Sequence, residues 1–281
     1  MVILLYENEW GRLTIAKEFG LHVKEISGLG VPKQESSVIS YVNQPGQLFI
    51  SKRDTARVIT VSCDVLSGKE GLKRLLKIMH HPGKMTIVSD GQARSIFCRC
   101  TTIDEPIKRG SFIRSVVLQF TCDNPYFTDK SPFAATLFLR EDIICDTFML
   151  PCMFSKRVSR RLIHNHGDLR AEPVFKVCNR SKSETEALEK GGVELINHTT
   201  GQRILLECTT DLGETITIDI KNRSVASNVK GNLATILSQN SFLSDFWLEP
   251  GVNDLEAINY NPGEIIDVVL SFDNQYLEAV I

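Results

Sequence analysis

Alternation of apolar and polar residues is the main pattern along this chain, and a two-residue period predicts β-strands. The stretch RVITVSCDV, residues Arg57–Val65, is a clear case, with Ile59, Val61 and Cys63 on one face of the predicted strand. The same pattern predicts further strands in the first half of the chain at Met1–Tyr6, Met85–Ser89, Ser95–Thr102 and Phe112–Thr121.

One segment follows the helical period instead. From Ser67 to Met79 the apolar residues recur three and four positions apart, which predicts an amphipathic helix with one apolar stripe. Ser67 and Glu70 add the S-x-x-E pattern of a helix capping box. The basic residues on the remaining surface are typical of a solvated helix face, and we interpret them that way rather than as a nucleic-acid surface. The predicted stripe consists of Leu72, Leu75, Leu76 and Met79.

Glycine and proline interrupt the strand pattern between Ile26 and Gly46. This composition predicts a long irregular loop. Because long loops often carry intermolecular contacts, we interpret Ile26–Gly46 as a contact arm.

The second half of the chain has many short apolar runs separated by turn residues, a pattern typical of a β-sandwich. In the run Glu214–Ile220, the pattern predicts that Ile216 and Ile218 face the core and that Asp219 lies on the opposite face. The other predicted strands are Phe133–Leu139, Pro173–Val177, Val193–Asn197, Arg203–Cys208, Ser224–Ala226 and Ile265–Phe272.

These patterns predict a mainly β protein, with an α+β domain that has one principal helix at residues 1–132 and a β-sandwich at residues 133–281. The composition is that of a soluble globular protein, since 42% of the 281 residues are hydrophobic and 23% are charged. With 32 basic and 34 acidic residues, the overall charge gives no reason to bind nucleic acid or an anionic membrane. The first apolar run, Met1–Tyr6, is too short for a signal peptide or a membrane span. We therefore expect folding in a cytoplasm, with the eight cysteines reduced.

One string contains residues that could hold a metal. In an extended segment, His164, His166 and Asp168 would share one face, and two histidines with a carboxylate can bind zinc or iron. The sequence Asn-His-Gly-Asp also favours a turn, and Gly167 breaks the strand that would align the three residues. We therefore predict no metal and no cofactor, with these three residues as the candidate ligands if a metal is bound. Since no catalytic motif stands out, we predict that the protein is not an enzyme.

Three segments, in this order along the chain, resemble the distal tail proteins (Dit) of siphophages, the phage tail component family. The first is VLQFTCDNPYF at residues 117–127, which is similar to the family's strand followed by DPYW, although Asn124 here separates the acid from the proline. The second is IHNHGD at residues 163–168 with Pro173, and the third is ID at residues 218–219 followed by FWLEPGVN at residues 246–253. The resemblance implies structural roles for Pro125, Tyr126, Gly167, Pro173, Asp219, Trp247, Pro250, Gly251 and Asn253.

The resemblance implies a structural protein. Proteins of this family look like hexameric rings built by their N-terminal domains, with a galectin-like β-sandwich carried outside. Such a ring joins the tail tube protein to the tail-tip protein, lets DNA pass through its channel, and anchors receptor-binding proteins. The chain is then expected in the virion tail of a phage or prophage, assembled in the bacterial cytoplasm, with other copies of itself as partners and no membrane contact.

Two other functions fit part of the sequence. A galectin-like sandwich can bind carbohydrate in host-surface adhesion through an exposed aromatic residue. Trp10 and Tyr260 are the candidates, because Trp247 is predicted to lie in the sandwich core together with Phe242, Phe246 and Leu248. A metal-dependent hydrolase would instead use the two histidines and the aspartate named above.

Overall fold

The computed structural model describes residues 2–15, 20–43, 45–66, 68–89, 91–104, 114–142, 155–181, 191–261 and 265–279. The chain forms two compact units, of which the second is Ser131–Gln275. The first unit contains the residues up to Lys130 and those from Tyr276 onward. The predicted second domain ran to residue 281, whereas in the structure the chain returns to the first unit at Tyr276, which is buried in that unit's core.

The elements before residue 131 are β1 (Ile3–Asn8), β2 (Gly11–Ile15), β3 (Leu21–Ser27), β4 (Gln34–Ile39), β5 (Leu48–Asp54), β6 (Arg57–Val65), α1 (Gly68–Met79), β7 (Gly83–Ser89), β8 (Gln92–Asp104), β9 (Arg114–Cys122) and β10 (Phe127–Asp129). Those that follow are β11 (Phe133–Asp142), β12 (Ser155–Val158), β13 (Arg160–Asn165), β14 (Val174–Asn179), β15 (Val193–Asn197), β16 (Gln202–Leu206), β17 (Thr215–Asp219), β18 (Ser224–Ser227), β19 (Gly231–Asn232), β20 (Gly251–Asn259), β21 (Ile266–Phe272) and β22 (Gln275–Tyr276). Short 3-10 helices occupy Ala234–Ile236 and Leu243–Asp245.

A long antiparallel sheet builds the first unit. Its strand order is β2-β1-β7-β8-β9-β6-β3, with β10 paired to β8 and β22 paired to β10. Successive side chains of a strand point to opposite faces, so Ile59, Val61 and Cys63 of β6 all lie in the core, as predicted. Large side chains in this core include Tyr6, Met79, Met85, Phe120 and Phe127.

Helix α1 starts one residue after the predicted position, and the predicted cap, Ser67, lies outside the described residues. Three of the four predicted stripe residues are buried, but Leu76 is 38% exposed and Ile78 is buried in its place. Each residue turns the helix by about 100°. The buried stripe is therefore centred near Leu75 and Met79, and Leu76 falls at its margin.

The prediction of an irregular loop at Ile26–Gly46 is wrong. Strand β3 continues to Ser27, and β4 occupies Gln34–Ile39 and pairs with β5. Every residue of β4 is exposed. A strand that faces water on both sides has no core-facing set of apolar residues, which is why the sequence QESSVI shows no alternation.

Two antiparallel sheets form the second unit and enclose one core. Their strand orders are β12-β11-β21-β14-β17-β18-β19 and β13-β20-β15-β16. In β17, Ile216 and Ile218 are buried and Asp219 lies on the opposite face, as predicted. Phe175 and Phe246 pack edge to face inside this core, with ring centroids 5.4 Å apart. The unit is a β-sandwich, and the predicted mainly β fold is confirmed.

Two aromatic residues predicted for this core lie elsewhere. Phe242 is 59% exposed and Trp247 is half-buried, whereas Phe246 and Leu248 are buried as predicted. The 3-10 helix that follows Phe242 changes the direction of the side chains, so that Leu243 fills the core position instead.

Six of the cysteines lie within the described ranges, and Cys63, Cys98 and Cys122 are buried there. Cys98 is buried, but Cys100 is only half-buried, because β8 and β9 change register between Cys100 and Thr102. Cys145 and Cys152 lie outside the described residues. Among the described residues, no helix combines the length and apolar character needed to cross a membrane.

A buried carboxylate at the start of β17 is held by three donors. Glu214 is fully buried and accepts hydrogen bonds from the Lys230 ammonium at 2.8 Å, the Ser227 hydroxyl and the Asp211 amide. Burial acts to raise the pKa of Glu214, but the hydrogen bonds from Lys230 and Ser227 outweigh it and hold this pKa below the usual value of 4.5. A carboxyl with a lowered folded-state pKa stabilises the fold above the unfolded pKa and loses that contribution as pH falls.

We expect Glu214→Gln to lower the free energy of unfolding of the sandwich by about 2 kcal/mol at pH 7, because a neutral amide replaces a charged hydrogen-bond acceptor. Acidification from pH 7 to pH 4 should then cost the variant less stability than it costs the parent. Urea unfolding in a Trp10→Phe background would measure this, since Trp247 is then the one tryptophan and lies in the second unit. The exposed Glu35→Gln is the control, and equal acid sensitivity in E214Q and the parent would contradict the assignment.

Candidate interaction surface

Strands β4 and β5 form a two-stranded hairpin that pairs with no other described strand. Its register runs from Gln34 opposite Asp54 to Ile39 opposite Leu48, with an irregularity after Ser37. Isolated two-stranded hairpins are at best marginally stable in water. This hairpin therefore depends on its attachment to the first unit, or on a partner, for a fixed conformation.

The hairpin carries apolar side chains that the rest of the described chain leaves exposed. Val42 is 91% exposed, Phe49 58% and Tyr41 54%. Contiguous exposed apolar residues on a soluble protein mark protein interaction sites. We call this the hairpin surface, and its other apolar members are Val38, Ile39, Leu48 and Ile50.

The base of the hairpin is fixed by polar contacts on both strands. The Thr55 amide donates to the Lys33 carbonyl at 2.9 Å, which closes the hairpin at its open end. The Asp54 carboxylate accepts one hydrogen bond from Gln34 at 3.0 Å and another from the Tyr126 hydroxyl at 2.7 Å. Burial and then the hydrogen bond to Asp54 raise the pKa of Tyr126 to about 12, so that this hydroxyl remains a donor at neutral pH.

Next to this base lies Arg57, the first residue of β6, which is only 3% exposed. Its guanidinium makes four hydrogen bonds, all to backbone carbonyls. The Nε atom donates to Pro125 at 2.6 Å, Nη1 donates to Gly28 at 2.8 Å and to Gly30, and Nη2 donates to Leu277 at 2.6 Å. Burial lowers the pKa of Arg57 below the usual arginine value, but an arginine keeps its charge in proteins. One side chain thus joins the segment before the hairpin, the segment between β9 and β10, and the returning C-terminal chain.

The backbone around Arg57 requires glycine at one position and is hydrogen-bonded to the C-terminal chain. Gly28 has a φ of +88°, and a Cβ there would lie 2.1 Å from the Val58 carbonyl oxygen, so only glycine can occupy this position. The C-terminal chain is also tied by the Ala279 amide, which donates to the Leu29 carbonyl at 2.9 Å. The guanidinium carbon lies 4.5 Å from the ring centroid of Phe127, a cation–π contact.

In the sandwich, the motif residues after β13 hold a tight turn. The Asn165 side chain is buried, accepts a hydrogen bond from the Gly167 amide at 2.9 Å and donates one to the Leu169 carbonyl at 2.9 Å. A Cβ at Gly167 would lie 2.6 Å from the Gln275 carbonyl oxygen. The main chain at residue 167 therefore lies too close to Gln275 for any residue other than glycine.

A buried asparagine side chain also holds the Pro-Gly corner at the start of β20. Gly251, which follows Pro250, has a φ of +94°. Asn253 is fully buried; its Oδ1 accepts from the Glu249 amide at 2.9 Å and its Nδ2 donates to the Glu249 carbonyl at 2.7 Å. The side-chain amide thus replaces backbone partners that the corner leaves unpaired.

Two more motif residues accept hydrogen bonds at the end of β17. The Asp219 carboxylate accepts from the Asn222 amide at 2.9 Å, and the Pro173 carbonyl accepts from the Ile220 amide at 3.3 Å. Both contacts fix the turn that leads into β18. Together with the two turns above, they give these motif residues backbone-shaping contacts within the second unit.

Only two of the three candidate metal ligands lie close together. The Nδ1 atoms of His164 and His166 are 2.9 Å apart, and both residues are exposed. Asp168 follows the turn, and its amide donates to the Gln275 carbonyl at 2.8 Å. Within the described ranges, no group of three histidine, cysteine, aspartate or glutamate residues is placed to hold a metal ion.

The three aromatic residues considered for sugar stacking differ in setting. Trp10 is 57% exposed and stacks on His81 with ring centroids 4.7 Å apart. Tyr260 is 50% exposed and donates its hydroxyl to the Glu194 carboxylate at 2.7 Å. Trp247 is half-buried, with an arginine guanidinium 4.5 Å from its ring centroid.

Residues 167–276 match the family described as siphovirus-type tail component, C-terminal domain. Among solved structures, the chain is similar to the Dit protein (gp 19.1) of phage SPP1, described as a paradigm of the hub adsorption apparatus in phages that infect Gram-positive bacteria. That similarity has a TM-score of 0.69 at 13% sequence identity and covers 98% of this chain and 99% of that one. No curated protein matches the chain.

Two further similarities are to chains of the phage p2 baseplate in its activated conformation. The structure with strontium gives a TM-score of 0.45 at 11% identity, covering 97% of this chain and 98% of that one. The structure with calcium gives 0.45 at 10% identity, covering 98% of both chains.

The family match thus falls on the sandwich. The resemblance of the chain to the distal tail protein family is confirmed by this match together with the fold shared with SPP1 Dit over nearly the full length.

The sequence pattern did not reveal Arg57 or the paired strands of the hairpin, although the predicted contact arm Ile26–Gly46 contains four of the seven residues of the hairpin surface. An arginine at the start of a strand is ordinary, and the carbonyls that Arg57 binds lie up to 220 positions away along the chain. The run Leu48–Phe49–Ile50 beside Pro45-Gly46 was the available signal, because three consecutive apolar residues cannot all face one side of a strand.

We expect Arg57→Lys to lower the free energy of unfolding of the first unit by about 3 kcal/mol or more, because an ammonium cannot reach four divergent carbonyls and leaves buried acceptors unpaired. Urea unfolding followed by Trp10 fluorescence in a Trp247→Phe background would measure it. Trypsin cleavage at Lys52 and Arg53 should also become faster as the hairpin base loosens.

Two further variants calibrate that experiment. Arg53→Lys changes an arginine whose side chain is 80% exposed and should alter stability by less than about 0.5 kcal/mol. Tyr126→Phe removes one hydrogen bond to Asp54 and should cost about 1 kcal/mol. If R57K were as stable as R53K, Arg57 would not organise this unit.

Proposed function

We propose that this chain is a structural hub protein of a phage or prophage tail, which assembles as a hexameric ring through its first unit and carries its sandwich outside the ring. The observation that carries the proposal is the hairpin surface, an apolar arm that the described part of its own chain does not cover and that is held by a rigid base. The shared fold with SPP1 Dit supports the same role.

A ring requires a head-to-tail interface, in which one surface of a copy meets a different surface of the next. The hairpin surface supplies one half. The edge strand β3 is a candidate for the other, because an open groove of about 450 Å³ runs along it and is lined by Val2, Val23, Lys24, Ile26 and Leu29 among others. An arm that docks beside the edge strand of the next copy would bury its apolar residues and cover that edge.

In this proposal the ring joins the tail tube protein to the tail-tip protein, DNA crosses its channel, and the sandwich anchors receptor-binding proteins. The chain would be assembled in the bacterial cytoplasm and remain in the virion tail. The motif residues would act by shaping turns, and we assign no catalytic step and no cofactor to the chain.

The double substitution Val38→Thr with Phe49→Thr should abolish ring assembly and leave folding intact. These residues face each other in the hairpin, are 42% and 58% exposed, and threonine retains strand propensity while removing apolar contact area. Sedimentation and electron microscopy of the parent should show rings, and those of the variant should show single copies. Point substitutions are preferable to deleting residues 28–46, because that deletion would remove the Gly28 and Gly30 carbonyls that Arg57 binds.

Phe97→Thr is the matched control, since Phe97 is an apolar residue of the same unit that is 66% exposed but lies on β8, away from both the hairpin and the groove along β3. It should form rings like the parent. Rings of unchanged mass from V38T/F49T would rule out the hairpin surface as the assembly contact.

A second candidate function is carbohydrate binding by the sandwich. The observation that favours it is Tyr260, an exposed aromatic ring whose hydroxyl is fixed by Glu194, with Arg203 3.8 Å from the same carboxylate. Sugar sites commonly place an aromatic face beside such fixed polar groups. Neighbouring His198 and Glu256 form a further polar pair at 2.8 Å.

A glycan screen tests this second function. Binding should be lost in Tyr260→Ala, retained in part in Tyr260→Phe, which keeps the ring, and unchanged in Trp10→Ala, which lies in the other unit. Absence of glycan binding by the parent, or loss on Trp10→Ala alone, would remove the sandwich face from consideration.

A further inference from the structure

We propose that His164 and His166 form a two-histidine chelating site for a divalent transition metal of the Cu²⁺ or Ni²⁺ type. The site depends neither on ring assembly nor on Asp168, the third residue of the ligand set considered from the sequence. It rests on the 2.9 Å separation of the two Nδ1 atoms, on the exposure of both side chains and on the fixed backbone that carries them.

The backbone around the pair is held on both sides. His164 is the second-last residue of β13 and lies opposite Val252 of β20. The His166 amide donates to the Asn274 side chain at 3.1 Å, and the buried Asn165 side chain closes the turn that follows. His166 is the residue directly after the end of β13, and both histidines are exposed on either side of the buried Asn165, so the two rings meet without reorganisation of the main chain.

The nitrogen separation selects the metal geometry. Histidine nitrogen binds such metals at about 2.0–2.1 Å. Two ligands at right angles around one ion are then about 2.9 Å apart, whereas two ligands at a tetrahedral angle are about 3.3 Å apart. The observed 2.9 Å is close to the right-angle value, which is the geometry of tetragonal Cu²⁺ and octahedral Ni²⁺.

Without metal, one Nδ1 carries a hydrogen and donates it to the other. On metal binding both Nδ1 atoms must offer lone pairs, so the hydrogen of the donor ring moves to its Nε2 atom through solvent. Each ring then remains neutral, with its proton on Nε2 and its Nδ1 on the metal, and no proton is gained or lost by the pair. The remaining coordination positions are open to water, because no third histidine, cysteine or carboxylate in the described chain completes the set.

The chain contains a second histidine pair that serves as the control. His80 and His81 are adjacent, and their rings meet edge to face with centroids 5.3 Å apart. His81 is also stacked on Trp10. Adjacent side chains do not converge on one ion as residues two apart on a strand do, so this pair should not chelate.

The test is a Cu²⁺ titration of the full chain, purified without a histidine tag, by calorimetry and electron paramagnetic resonance. We expect one equivalent of Cu²⁺ with a tetragonal spectrum that shows imidazole nitrogen coupling. His164→Gln and His166→Gln should each weaken binding by at least about tenfold, while the double variant of His80 and His81 to Gln should bind like the parent. Asp168→Asn should also leave the affinity unchanged, which separates this site from a three-ligand set.

The proposal is overturned if the parent shows no saturable Cu²⁺ binding, in which case the contact is a hydrogen bond only. It is equally overturned if H164Q and H166Q bind as tightly as the parent, or if the His80 and His81 double variant removes the bound equivalent. Both substituted histidines are exposed, so circular dichroism should show each variant folded, and weakened binding by a folded variant supports the site.

Discussion

The hydrogen bonds of Arg57 to four backbone carbonyls are the constraint on which the first unit depends. A planar guanidinium with five donors in fixed directions can bind carbonyls that come from three separate stretches of chain. Removing it would leave buried acceptors without donors, which costs more than the hydrogen bonds themselves contribute. Because one of these carbonyls belongs to Leu277, the first unit is complete only after the chain has passed through the whole sandwich and returned.

The hydrogen bonds of Arg57 also help to fix the base of the hairpin. The arm presents apolar residues to solvent, yet its base is tied by Asp54, Tyr126 and the glycine segment that Arg57 holds. A rigid base lowers the entropy lost when the arm docks, which favours binding by pre-organisation. The proposed ring would use an interface of this kind at every contact between copies.

Turns in the sandwich are also held by side chains that hydrogen-bond to the backbone. Asn165 and Asn253 are buried side-chain amides that supply backbone partners at corners where the chain leaves a strand. The corner at Asn165 also brings His164 and His166 together, because the turn fixes the main chain on the far side of the pair. The candidate chelate is thus a consequence of a turn whose first function is structural.

The sequence by itself determined the strands with one buried face, the single amphipathic helix and the family resemblance, because these depend on local periodicity and on short motifs. It failed for β4, which is exposed on both faces, and for β20, where Asn253 and Ala257 occupy inward positions that carry no strong apolar signal. It also placed Phe242 and Trp247 in the core, since a 3-10 helix shifts the side-chain direction without a sequence marker. Only the tertiary structure decided the role of Arg57, the exposure of the hairpin surface and the closeness of the two histidine nitrogens, because each depends on distances between groups that the order of residues along the chain does not specify.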